Sequence, residues 1–287
     1  MPSLTPFLAQ QIRAGIYQPL DRAKLGNYGH LDKALLKLMA PFDKGNAIAI
    51  PWMTGTDGIG VNADKVRSID PDAPINSLKL LFDPKELAKF KGCGISFVDS
   101  PTDVFAVALK YLHLDPGSSR KDDLEAAAAL LTKIRPSIRK FESSEYINDL
   151  ANGDICIAFG YSSDINLARR RAREANRGVN VVYKIPIEGS VRWIDTIAIP
   201  KDAEHVDAAL RFLDFILRPE VIADTSNAFF IMSGNADAAP FLKPEITSDP
   251  EIMPPASVEA NLFALEVSTP EIDRLRTRLW TRIKTGR

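Results

Sequence analysis

The chain has 287 residues, 45% hydrophobic and 25% charged, which is the composition of a folded globular protein and not of a disordered one. That length exceeds what one core ordinarily serves and suits two lobes. A net charge of −1 offers no basic surface to nucleic acid or an anionic membrane, and no apolar run approaches the roughly 20 residues of a membrane helix.

Taken in chain order, the opening MPSLTPFLAQQIRAG shows no charged stretch followed by an apolar one, so no secretory signal is visible. It enters a helix-like segment at residues 7–14 almost at once. An α/β lobe ordinarily opens with a strand that feeds its first helix, so the first strands are expected to be absent. Strand signals follow at GNAIAIPWM (45–53), GISFVDS (94–100), DICIAFG (154–160), VNVVYKIPI (179–187) and WIDTIAIP (193–200). Helical signals separate them. PTDVFAVALKYLHL starts with Pro101 in the first-turn position that proline favours. KDDLEAAAALLTKI is rich in helix formers and stops before Pro136. HVDAALRFLDFIL puts Val206, Ala209, Leu210, Leu213, Ile216 and Leu217 on one face. The alternation predicts an α/β protein. The basic stretches RRRAR and DRLRTRLWTRIKTGR have the spacing of solvated helix faces.

The motifs of covalent chemistry are missing: no GxSxG, no phosphate loop and no HExxH. The three histidines, His30, His113 and His205, read as solvated or packed side chains, and nothing supplies a paired nucleophile. Cys93 and Cys156 lie too far apart for a CxxC or metal spacing. Two buried thiols and one disulfide both remain open from spacing alone, and the second requires an oxidising compartment.

What remains is a set of acids and aromatics at strand exits, where ligands of open α/β sheets bind. Asp103 follows ISFVDSPT, Asp164 follows CIAFGYSS, and Asp195 lies inside RWIDTIAIP. With Ser100 as N-cap, Asp103 takes the third helical position and completes a capping-box-like arrangement. With Ser162 or Ser163 as N-cap, Asp164 falls in a first turn and complements the helix dipole. Asp195 shares a strand face with Val191, Trp193 and Ile197, and a carboxylate in that company needs a partner. A cationic ligand at helix N-termini requires acids to reverse the local field. Aromatic faces add cation–π attraction and cover methylenes. Tyr161 and Trp193 stand beside these acids, and a short diamine asks for such a set.

At these residues the chain resembles the putrescine- and spermidine-binding proteins of bacterial polyamine ABC transporters, the putrescine-type members most. The resemblance runs through AGIYQPLDRAKLGNY, TDGIGVNADKV, GCGISFVDSPTDVF, YINDLANGDICIAFGYSSD, GVNVVYKIPIEG and EIDRLRTRLWTRIKTGR. It implies a type II periplasmic-binding-protein fold: two α/β lobes joined by a hinge, ligand between them, the first lobe N-terminally truncated. The first lobe is expected over 1–53 and 193–236 and the second over 54–192 and 237–287, with crossings near 51–56 and 192–193. The resemblance places amine contacts at Asp103, Tyr161, Asp164 and Asp195, an aromatic wall at Trp193, and a remnant of a polar contact at Ser3 or Thr5. It also places a disulfide between Cys93 and Cys156. Ile231 stands where the family has a ligand-facing tyrosine. Tyr161 replaces a tryptophan and Asp103 a glutamate, Thr54 sits where tryptophan is common, and Arg192 adds a charge beside the hinge aromatic.

The implied protein is a periplasmic solute-binding protein, not an enzyme. It captures a polyamine, a putrescine-like diamine above others, for a membrane ABC permease. It is expected to be a monomer without cofactor, metal or nucleic acid. The alternatives are a truncated, non-binding remnant and a binder of another cationic amino or guanidino compound.

Overall fold

The computed structural model describes residues 6–286. Its described residues form strands β1 (Tyr17–Gln18), β2 (Ala49–Asn62), β3 (Ile95–Phe97), β4 (Lys140–Phe141), β5 (Ile157–Tyr161), β6 (Val181–Lys184), β7 (Arg192–Pro200) and β8 (Met232–Ser233), with helices between them. The chain divides into two compact units. One comprises the residues up to Gly55 with Arg192–Pro254, the other Thr56–Val191 with Pro255 onward. Residues 237–254 therefore join the first unit, whereas the sequence placed them in the second. The reason is local: Asn227, on the helix Pro219–Phe229, donates to the Phe241 carbonyl at 3.0 Å and accepts from the Lys243 amide at 2.8 Å.

In the first unit the strand order is β1-β7-β2, with β8 also paired to β2. Tyr17 lies opposite Pro200 and Met53 opposite Ser233. The helix Val206–Ile216 buries Leu210 and Leu213 in a core with Leu20, Leu25, Ile50, Ile199 and Leu217, the apolar face expected from its periodicity. A second core joins Leu8, Leu35, Met39, Ala49 and Ile194. Asp43 starts the long strand: its buried carboxylate accepts from the amides of Ala47, Ile48 and Ala49 at 3.0, 2.9 and 2.9 Å.

In the second unit β2 lies between β6 and β5, both antiparallel to it, and β3 continues parallel to β5 and to β4. Helices Pro101–Tyr111, Lys121–Ile134 and Pro270–Thr285 cover this sheet with a shared apolar core that includes Phe97, Phe105, Leu131, Phe159 and Trp280. The last of these helices is held by Trp280, whose indole donates to Asp99 at 2.8 Å and packs on Phe141 at 4.8 Å between ring centroids. Its arginines at 274, 278 and 282 stay exposed. Strand β2 is longer and later than the sequence suggested. Gly45 takes φ 70° inside a turn, and the polar stretch Thr54–Thr56–Asp57 continues the strand because β8, β5 and β6 pair with it.

Candidate functional site

Two neighbouring parallel strands, β3 and β5, end at Phe97 and Tyr161 and lead into the helices Pro101–Tyr111 and Ser162–Ala175. Each helix carries an acid in its first turn, Asp103 and Asp164. Strand β2 runs the opposite way beside β5, with Asp57 directly opposite Tyr161. Residues directly opposite across a ladder share a face, so this register brings Asp57 to the end of the sheet where the other two acids start their helices.

Ser100 caps the first of these helices as expected. The Asp103 amide donates to its Oγ at 3.5 Å, and the same hydroxyl donates to the Asp103 carboxylate. The second helix departs from expectation. Its N-cap is Tyr161, with no side-chain cap, because the strand runs straight into the helix and Ser162 Oγ is used elsewhere, accepting from the Thr56 amide at 3.2 Å. Asp164 accepts from the Tyr146 hydroxyl at 2.8 Å and from Ser163 Oγ at 3.4 Å. The Tyr146 hydroxyl also accepts from the Tyr161 amide at 3.2 Å. It fits there because residue 160 is glycine: a Cβ at that position would stand 2.5 Å from the hydroxyl.

These groups sit in an acidic, desolvated environment. Burial, then the neighbouring Asp103 carboxyl, holds the Asp57 carboxyl well above the usual carboxylate range. Burial also raises Asp103, against hydrogen bonds from Ser100 and Tyr161 that lower it. Asp164 is raised by burial more than the Tyr146 bond lowers it. The Tyr161 phenol is pushed up by burial and by the charges of Asp103, Asp57 and Asp164. Among the described residues no lysine or arginine forms an ion pair with Asp57, Asp103 or Asp164. The arrangement favours uptake of positive charge.

The other expected contacts lie in the first unit. Trp193 on β7 is buried, its carbonyl accepts from Thr54 Oγ1 at 2.7 Å, and Thr54 Oγ1 accepts from Arg192 Nε at 3.3 Å. The Trp193 indole N–H is buried without an acceptor among the described residues. Asp195 is half-buried, not sealed among apolar residues, because its neighbours Ile194 and Thr196 take the interior face. Ile231 is buried between the helix Pro219–Phe229 and β8. Ser3 and Thr5 lie outside the described residues. Among those described, no group of three or more His, Cys, Asp or Glu side chains is placed to hold a metal, and no helix is long and apolar enough to cross a membrane.

Cys93 and Cys156 are bonded, with Cα atoms 5.6 Å apart. The bond ties the start of β3 to the start of β5, where the Cys156 amide also donates to the Gly94 carbonyl at 3.0 Å. It anchors the two strands whose far ends carry the acids. Asp57 and Tyr146 were missed in the sequence. Asp57 lies in TDGIGVN, whose glycines read as a turn, and only the register opposite Tyr161 brings it to the site. Tyr146 had no signal, since its role depends on a contact 18 positions away.

The family described as bacterial extracellular solute-binding protein matches residues 3–255. The putrescine-binding periplasmic protein PotF of Escherichia coli is 48% identical over 283 residues, 98% of this chain and 76% of its own length. The putrescine-binding periplasmic protein SpuD of Pseudomonas aeruginosa is 45% identical over 282 residues, 98% of this chain and 77% of its own. The crystal structure of the spermidine/putrescine ABC transporter substrate-binding protein of Streptococcus pneumoniae superposes with a TM-score of 0.82 at 23% identity, covering 99% of this chain and 82% of that one. The fold is that of the periplasmic binding proteins.

Proposed function

We propose that this chain, which belongs to the bacterial extracellular solute-binding proteins, captures a polyamine in the periplasm and hands it to a membrane ABC permease. The ligand is a putrescine-like diamine, and the protein acts as a monomer. The observation that carries this is the acid set of the second unit: Asp57, Asp103 and Asp164 around Tyr161 at one end of the sheet, desolvated and without a basic partner among the described residues. A buried carboxylate cluster of that kind is stabilised by a cation. The relatives named for putrescine binding supply the ligand class.

In this reading Asp164 and Asp103 receive ammonium, and the Tyr161 ring covers the methylene chain and adds cation–π attraction. Trp193 and Asp195, on β7, are further candidate contacts for an amine. Ile231, standing where the family has a tyrosine, alters which amine fits. No bond is made or broken; capture and release are changes of affinity.

Charge at both ends of the ligand decides affinity. Putrescine is expected to bind at least about tenfold more tightly than butylamine, since a charge-assisted hydrogen bond contributes roughly 1.5–3 kcal/mol. Titration calorimetry of both amines tests this, and equal affinities contradict the reading.

A further inference from the structure

We propose that Asp57 and Asp103 together form a proton-exchanging seat for one ammonium group, so that capture of the amine expels a proton. This rests on the polyamine reading above and adds to it a residue, Asp57, and a linkage to pH.

The protein satisfies another deeply buried acid, in the turn before the long strand. Asp43 accepts three backbone amides at the start of the long strand. Asp57 is treated differently. It is fully buried, yet neither carboxylate oxygen accepts a hydrogen bond from any donor among the described residues. The group within hydrogen-bonding reach is another carboxyl, Asp103, itself 6% exposed. Two carboxylates are both acceptors, so the contact requires something between them that donates. In the empty protein that is a proton, shared as in other close carboxyl pairs. An ammonium group supplies donors of the same kind and a full positive charge.

The surroundings are consistent with such an exchange. Asp57 faces Asp103 from the strand, and Tyr161 faces both from β5. Ser100 donates to Asp103 from the helix N-cap. Asp164 adds negative potential from the next helix, and Arg276 on the C-terminal helix is near enough to Asp103 to feel its charge. Arg276 forms an ion pair with Asp273 instead. The balance is complete without another reactant. The pair begins as one carboxylic acid and one carboxylate. The ammonium enters as a cation, and one proton leaves to solvent, giving two carboxylates around one ammonium.

Two consequences of sign follow. Both carboxyls are raised in the folded protein, so the empty protein holds a proton that the unfolded chain has lost. The pair's contribution to stability is full below the ordinary carboxylate value and is lost as pH rises through the raised one. Amine affinity moves the other way and rises with pH, by up to about tenfold per pH unit while one proton is exchanged.

The test is putrescine titration calorimetry between about pH 5 and pH 8, in buffers of differing ionisation enthalpy, on the wild type, Asp57→Asn and Asp164→Asn. The wild type should release close to one proton per putrescine. Asp57→Asn should bind with a nearly flat pH profile and no buffer-dependent heat, while Asp164→Asn should bind more weakly with the proton release retained. A wild type that binds without releasing a proton overturns the seat and leaves the polyamine reading standing; so does an Asp57→Asn variant that keeps the release. The wild-type measurement decides even where the variant does not fold. A wild type that binds no amine overturns both.

Discussion

Replacing Cys93 and Cys156 by alanine lowers the melting temperature by about 10 °C. The bond closes a loop across 63 positions, which in the chain-entropy account contributes about 4 kcal/mol, and each kcal/mol shifts the midpoint of a unit this size by about 2–4 °C. The native side adds to the argument. Cys156 is fully buried, and the bond joins the starts of two adjacent strands whose backbones already pair. Losing it releases the unfolded chain and loosens the ladder that positions Asp103 and Asp164. Differential scanning calorimetry of the oxidised wild type, the reduced wild type and the double alanine variant measures this. The two forms lacking the bond should melt together, well below the oxidised protein; coincident melting of all three contradicts the prediction.

Asp164→Asn weakens putrescine binding by about ten- to a hundredfold while leaving the empty protein nearly as stable. The loss corresponds to one charge-assisted contact of roughly 1.5–3 kcal/mol. The stability expectation follows from the side chain's surroundings. Asp164 is not the helix cap, and asparagine keeps an oxygen for the Tyr146 hydroxyl that Asp164 accepts at 2.8 Å. Loss of a favourable charge at a helix N-terminus costs about 0.3–1 kcal/mol, offset by removing a carboxylate that burial disfavours. Asp195→Asn should weaken putrescine binding at least as much. Affinity by calorimetry and melting temperature without ligand, measured on both variants, separate binding from folding. If Asp164→Asn binds putrescine normally and melts far lower, Asp164 is a structural residue of the helix start and not a ligand contact.

The three sequence-derived residues of the second unit were legible because they follow short-range rules. Asp103 and Asp164 each stand in the first turn of the helix that follows a parallel strand, and Tyr161 is the last residue of one. Asp57 obeys no such rule. It enters the site only through the antiparallel register that sets it opposite Tyr161, and its strand is interrupted in sequence by Gly55, Gly58 and Gly60. The last two reflect packing: a Cβ at Gly58 would stand 2.4 Å from the Tyr183 hydroxyl, and one at Gly60 2.8 Å from Ile165. They read as turn residues in one dimension and as close contacts in three. The start of the second site helix was misplaced for a related reason. Ser162 has the type of an N-cap, but its hydroxyl is taken by an amide 106 positions away. The resemblance implied the disulfide where spacing alone left it open.

Whether this acid set holds an amine is measured by equilibrium dialysis with labelled putrescine. The expected result is saturable retention of one putrescine per chain, displaced by excess unlabelled putrescine and not by an equal excess of butylamine. Retention that does not saturate, or none at millimolar putrescine with a protein that melts cooperatively, would contradict it.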